Sequence, residues 1–201
     1  MRIIFAKTYW NIAGGALAGV FLVLLGSETD GYGAAMGFGI FFFARGVGTG
    51  LGPIIARNVL KDESKWPGLI GKLVVISGSF YVLVSLTLNI SIVLTVFLVL
   101  LAHAASGANW VLSTILTQRW VEDEMRGRVF SIDMLFMSIA FSISTSVAGY
   151  LVENYNLGIA DGILYFGSLM MLSGILFTLW NPSNSKSVTQ VQDGNAQRQA
   201  E

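Results

Sequence analysis

An all-α membrane protein of six transmembrane helices is the fold class the sequence predicts, and three observations predict it. The chain contains six long apolar stretches with almost no charge inside them. Hydrophobic residues make up 54% of the 201 and charged residues only 12%, against about 25% in an ordinary soluble domain. The twelve Lys and Arg are also sorted by segment: if every apolar stretch crosses a bilayer, all of them except Arg45 fall on one side.

That side holds Arg2, Lys7, Arg57, Lys61, Lys65, Lys72, Arg119, Arg126, Arg128, Lys186 and Arg198. The opposite side holds Glu28, Asp30, Glu153 and Asp161 and no base. The positive-inside rule makes the basic side cytoplasmic. The expectation is therefore an integral, multi-pass protein of the plasma (inner) membrane with both termini in the cytoplasm.

About 20 apolar residues in helical form cross the hydrocarbon core. A closed barrel would instead need short strands of alternating polarity, and these runs are continuous. Helix 1 is expected over 8–26, where Gly14-x3-Ala18 and Gly15-x3-Gly19 offer small faces for close helix approach. Helix 2 follows over 33–57 with two more such patterns, Gly46-x3-Gly50 and Gly48-x3-Gly52, just before Pro53. Close approach to a neighbour and a bending element are both open readings of that glycine run. Helix 3 is expected over 72–88 and helix 6 over 162–180. Both are mostly Leu, Ile, Val, Phe and Met, relieved by Ser77, Ser79, Ser85, Ser168 and Ser173, and they read as lipid-facing. Helix 4, over 90–117, starts after a bare turn at 89–91. Helix 5 is expected over 129–152. These spans form one domain, 1–181, and the Ser-, Gln- and Asn-rich segment 182–201 reads as a disordered cytoplasmic tail. Trp10, Tyr32, Trp66, Trp120, Tyr155 and Trp180 sit near expected interfaces, as an aromatic belt requires.

Several function classes are excluded or disfavoured. The bases are spread over separate segments rather than gathered on one surface, so no nucleic-acid footprint exists. The absence of Cys removes disulfides and thiolate metal sites, and no cofactor or metal is expected. No small-residue cleavage site followed by a soluble domain appears after the first apolar run, so a signal peptide is not expected.

The polar residues inside the spans are unevenly distributed. Helix 1 carries Asn11 and helix 2 carries Arg45. Helix 4 carries His103, Ser106, Asn109 and Trp110, and helix 5 carries Ser138, Ser142 and Ser146 on one face, with Ser144 and Thr145 near it. Helices 1, 2, 4 and 5 thus build the polar side of the bundle. At 1.5 Å per residue, Arg45 lies about 18 Å from Arg57 and His103 about 21 Å from Thr117, close to the middle of a core ~30 Å thick. A charge at that depth costs at least about 2.5–3.5 kcal/mol on insertion scales, so Arg45 is expected to meet a water-filled cavity, a substrate or another segment. A tether to backbone carbonyls is the alternative. For His103, Asn109 and the serines, ordinary interhelical hydrogen bonds compete with a cavity role. His103 and Ser106 share a helix, but no second His exists to orient them, so hydrolytic chemistry and enzyme function are not expected.

Between helices 4 and 5, residues 121–131 read VEDEMRGRVFS. This resembles the (D)E-x-R-G-R-V-x-S signature between transmembrane helices ten and eleven of major facilitator superfamily transporters, and most of all the bacterial branch of macrolide-efflux and enterobactin-exporter-like proteins. The run NWVLSTILTQ at 109–118 is similar to that family's approach to the loop, and RGVGTGLGP at 45–53 resembles its eighth helix. The first-half signature, Gly-x3-Asp-Arg-x-Gly-Arg, is absent; the corresponding segment 57–65 reads RNVLKDESK. The resemblance, over residues 1 to about 181, implies the C-terminal six-helix half of a major facilitator fold, with helices 1, 2, 4 and 5 toward the cavity or the other half and 3 and 6 outside.

It also implies secondary active transport: proton-coupled export of a drug or siderophore-like small molecule by rocking of one half against the other, with the substrate near the midplane. Arg45, His103, Asn109, Ser138 and Ser142 are the expected cavity residues. Coupling is expected to use His103, Asp133 or the missing half. Two roles are open to the loop charges. Arg126 and Arg128, with Asp133 pairing to Arg57, form a latch that opens and closes with the cycle, or the bases only anchor topology at the headgroups. Six helices exposing a polar face need a partner, either an N-terminal half or a second copy, so the chain reads as a split or truncated product. The alternative is a non-transporting remnant or accessory subunit bound to another membrane protein. The expected partners are thus a small-molecule substrate, the lipid bilayer and one of these proteins, with no nucleic acid.

Overall fold

The computed structural model describes residues 2–28, 33–59 and 61–180. Asp30, the expected interface residue Tyr32 and the expected tail at 182–201 lie outside them. The described residues are all helical apart from turns, and six helices are long and apolar enough to cross a membrane. They are α1 (Arg2–Ser27), α2 (Ala34–Val59), α3 (Trp66–Thr87), α4 (Ile92–Trp120), α5 (Asp123–Tyr155) and α6 (Ile159–Trp180).

Three helices begin six residues before the expected boundary: α1 at Arg2, α3 at Trp66 and α5 at Asp123. α3 starts at Trp66, with Pro67 in its first turn, where a missing N–H costs nothing; Asp62 caps the preceding 3-10 turn, Glu63–Lys65, by accepting from the Ser64 amide at 3.1 Å. The Ser64 hydrogen bonds, with Lys65 beside them, hold the Asp62 carboxyl below the usual carboxylate range. α5 starts at Asp123, where Asp123 and Glu124 complement the positive end of the helix dipole. Hydropathy places a helix start where charge ends, whereas these helices extend past the apolar run into water. The motif at 121–131 is thus mostly the first turns of α5, and Asp133 lies about 15 Å along that helix rather than the expected ~6 Å. α5 ends on Asn156 in the left-handed region (φ 52°).

α1 is continuous but not uniform. It opens with a 3-10 turn, Arg2–Phe5, and contains a π-helical segment, Leu17–Phe21, between two α-helical stretches.

The helices form an open arc in the spatial order α2, α4, α3, α6, α1, α5, with α1 also touching α4 and, through Leu22–Ser27, α2. The core runs through the arc: Phe21, Phe41, Tyr81, Val99 and Met170 are buried together, and Ile3, Trp66, Ile70, Leu112 and Phe177 form a second cluster at the basic end. Serines tie the back of the arc. Ser77 Oγ donates to Ala102 O at 2.9 Å, Ser85 Oγ to Ala160 O at 2.8 Å and Ser173 Oγ to Tyr9 O at 2.8 Å. Those serines face neighbouring helices, because a hydroxyl in an apolar setting takes whatever carbonyl it can reach.

The α2–α4 contact is made at backbone distance. A Cβ at Gly48 or Gly52 would strike the carbonyls of Leu100 or Ala104, and one at Gly107 would strike Thr49 O. Pro53 has no N–H to offer the Thr49 carbonyl, which lies instead against Gly107. Of the two glycine pairs in α2, only Gly48 and Gly52 serve this contact; a Cβ at Gly46 or Gly50 would meet open space.

Candidate functional site

The two ends of the arc, α2 and α5, are its least covered helices. Only 22% of the apolar window of α2 and 11% of that of α5 is buried, against 61% for α1. α5 packs mainly on α1 and α2 on α4, so an uncovered face lies between α2 and α5 with α1 and α4 as its floor.

At the basic end of this floor Lys7 Nζ donates to Asp133 Oδ2 at 2.5 Å, joining α1 to α5. Both side chains are buried, at 5% and 3% exposure. The Lys7 ammonium also lies 5.1 Å from the centroid of the Trp110 ring on α4 and 5.9 Å from that of Phe130 on α5. Asp133 Oδ1 is buried without a hydrogen-bond partner among the described residues. Three helices therefore meet on one buried charge pair. The sequence places Lys7 among the bases that mark the cytoplasmic side, and its latch reading pairs Asp133 with Arg57. The structure corrects both: α1 begins at Arg2, which carries Lys7 inside the bundle, and Arg57 is exposed on α2.

Arg45 sits half-buried on α2, its guanidinium 5.2 Å from the Phe42 ring one turn away. Among the described residues it has no ion-pair or hydrogen-bond partner, and no carbonyl tether is formed.

His103 is not on the uncovered face. It is 2% exposed, its Nε2 is 2.7 Å from Tyr81 Oη, and the ring of Trp10 stands 6.1 Å away. Trp10 Nε1 in turn donates to Ser77 Oγ at 3.2 Å. A polar chain thus crosses α1, α3 and α4, and His103 is a satisfied interior residue within it. Ser106 Oγ donates to the His103 carbonyl at 3.1 Å. Asn109 is buried too, with Oδ1 unpartnered among the described residues. Neither residue lines open space in this conformation; Trp10 of α1 and Tyr81 of α3 close over His103.

Ser138, Ser142 and Ser146 are exposed on α5 and make no hydrogen bond to another described residue. Their neighbour Ser144 points inward and accepts from the Ala16 N–H at 3.0 Å. Of the loop bases, Arg126 ties the start of α5 to the end of α4: it donates to Gln118 O at 3.0 Å and to Asp123 Oδ1 at 2.5 Å. Arg128 is exposed and unpaired among the described residues. The expected latch residues Arg126, Arg128, Asp133 and Arg57 are therefore not one cluster. Among the described residues no three His, Asp or Glu side chains converge on a metal-sized site.

The missed residue is Lys7. A signal for it was present: Ile3, Ile4 and Phe5 precede it, and counting them as helix puts Lys7 one turn from Trp10 and Asn11 on an inward face. No known protein family, curated protein or solved structure matches this chain.

Proposed function

We propose that the bundle lies in the cytoplasmic membrane with its basic end inward and works as half of a secondary transporter, the C-terminal six helices of a major facilitator-like fold exporting a drug or siderophore-like small molecule. The observation that carries this reading is the uncovered face between α2 and α5. It presents Ser138, Ser142 and Ser146, and α2 carries Arg45 near mid-span, without an ion-pair or hydrogen-bond partner among the described residues. An open arc of six helices with its polar side uncovered calls for a second six-helix body, and a cavity between two such bodies is where transporters of this kind hold substrate.

In this reading Arg45 contacts the substrate or water in the cavity. The Lys7–Asp133 pair is the joint that changes between conformations, since it bridges α1 to α5 and touches α4. Coupling to a proton gradient would act on Asp133, because neutralising that carboxylate removes the partner of Lys7. The test is efflux of a fluorescent drug from cells expressing this chain together with the six helices that complete it. Arg45→Gln is expected to lower the efflux rate tenfold or more while membrane insertion stays normal. Unchanged efflux in that variant, or none from the wild-type pair, defeats the reading. A chain that binds another membrane protein through the same face but moves no solute is the accessory subunit instead.

A further inference from the structure

A crevice of about 550 Å³ opens at the basic end between α2, α4 and the start of α3, away from the Lys7–Asp133 pair. Its mouth is polar: Arg57 ends α2, Gln118 and Arg119 end α4, and Glu63 lies in the turn before α3. Its inner wall is apolar, made by Pro53, Ile54, Val111 and Ile115. Val111 precedes Arg119 by eight residues, so the crevice runs about 12 Å along α4, from the helix end toward mid-span. A charged mouth at the level of the helix ends, opening onto an apolar slot that points into the bilayer, has the polarity profile of a phospholipid.

The charges at the mouth favour an anion. Arg119 is ion-paired with Glu63, and Lys65 is 3.3 Å from Asp62, which leaves Arg57 exposed and without an ion pair among the described residues. The lining as a whole holds two guanidinium groups and one carboxylate. Arginine forks match phosphate oxygens in pairs, and Glu63 engages only one guanidinium nitrogen of Arg119, through Oε2, a contact a phosphate oxygen can replace. Trp66, buried in the same wall, is the residue type that settles at headgroup depth.

We propose that this crevice binds one anionic phospholipid of the leaflet at the basic end, its phosphate held by Arg57 and Arg119 and its glycerol and upper acyl chain lying along Ile54, Val111 and Ile115. The proposal rests on the bundle lying in a bilayer, not on its moving a solute. A chain that never partitions into membranes removes both readings, whereas loss of lipid binding with efflux intact removes this site alone.

The test is thermal unfolding of the full chain in dodecyl maltoside micelles, titrated separately with dioleoyl phosphatidylglycerol, dioleoyl phosphatidylcholine and inorganic phosphate, with native mass spectrometry counting retained lipid. Phosphatidylglycerol is expected to raise the midpoint saturably with one lipid kept per chain, and the other two are not. Arg57→Gln and Arg119→Gln should each weaken phosphatidylglycerol binding about fivefold, while Arg128→Gln, at the same end but outside the crevice, should leave it unchanged. Glu63→Gln should tighten it by releasing Arg119, and this variant decides the matter should an arginine variant fail to fold. An equal response to phosphatidylcholine, an equal loss in Arg128→Gln, or weaker binding in Glu63→Gln overturns the proposal. A midpoint shift with inorganic phosphate alone makes the ligand a free phosphate and overturns the lipid.

Discussion

Lys7 and Asp133 are the two charged side chains buried among the described residues. Removing an ion pair from water costs several kcal/mol per ion, and the mutual attraction recovers that only while both partners stay. Lys7→Ala or Asp133→Ala alone is therefore expected to cost about 3–5 kcal/mol of stability, because each leaves a bare buried charge. Replacing both, Lys7→Met with Asp133→Leu, should recover most of that loss in unfolding measured in lipid micelles. A double variant as unstable as the singles would show that the pair does not act as a unit. Arg45 follows a different logic: it is half-buried and has no ion pair among the described residues, so Arg45→Gln should leave stability nearly unchanged and register in transport. The sequence made Arg45 legible because a lone base in an apolar run is visible by inspection. It hid Lys7, because a base near an expected helix start reads as a topology signal until the true start is known. His103 was legible as a polar group at mid-depth but not as one closed off by Tyr81, since that contact joins helices separated along the chain and depends on their rotation.

At the scale of the element, α2 carries two glycine pairs that read alike in sequence and differ in space. Gly48→Ala and Gly52→Ala push a methyl into α4 backbone, and overpacking of that kind costs about 1–3 kcal/mol. Gly46→Ala and Gly50→Ala meet open space and gain helix propensity, up to about 1 kcal/mol each. Melting temperatures of the four variants check this directly; equal destabilisation by all four would mean that α2 is rotated from the position described. Which pair faces α4 depends on helix rotation, which hydropathy along α2 does not specify, as both faces are apolar or small. The ends of α3 and α5 were hidden for a related reason. Asp123, Glu124, Arg126 and Arg128 look like a loop by hydropathy, yet Asp123 and Glu124 fit a helix start and Arg126 pairs back to Asp123 at i, i+3.

Taken whole, the bundle is an arc whose back is closed by α3 and α6 and whose front is open. Asn11 and Asn109, read in the sequence as marks of a polar side, are buried within the bundle, whereas Ser138, Ser142 and Ser146 are exposed on α5. What was not readable is that α1 and α4 form the floor while α2 and α5 stand at the margins, an outcome of which helices touch. The chain has no Cys, so a single introduced thiol reports without further changes. Ser142→Cys on α5, labelled with a membrane-permeant maleimide-benzophenone and irradiated in native membranes, is expected to join a second polypeptide. Linkage to nothing, with only the monomer recovered, would remove the requirement for a partner on this face.

The π-helical segment Leu17–Phe21 in α1 has a genetic consequence. A π turn is an α-helix that has absorbed one extra residue, so α1 holds a spare position at that point. Deleting Val20 should let the segment rewind as α-helix and leave Lys7 and Phe21 on the faces they already occupy. Deleting Ile12 instead, in the regular stretch, would turn everything before it by about 100° relative to the rest and carry Lys7 away from Asp133. In-frame deletions scored for membrane expression and melting temperature would therefore show a narrow tolerant window near 17–21, flanked by intolerance.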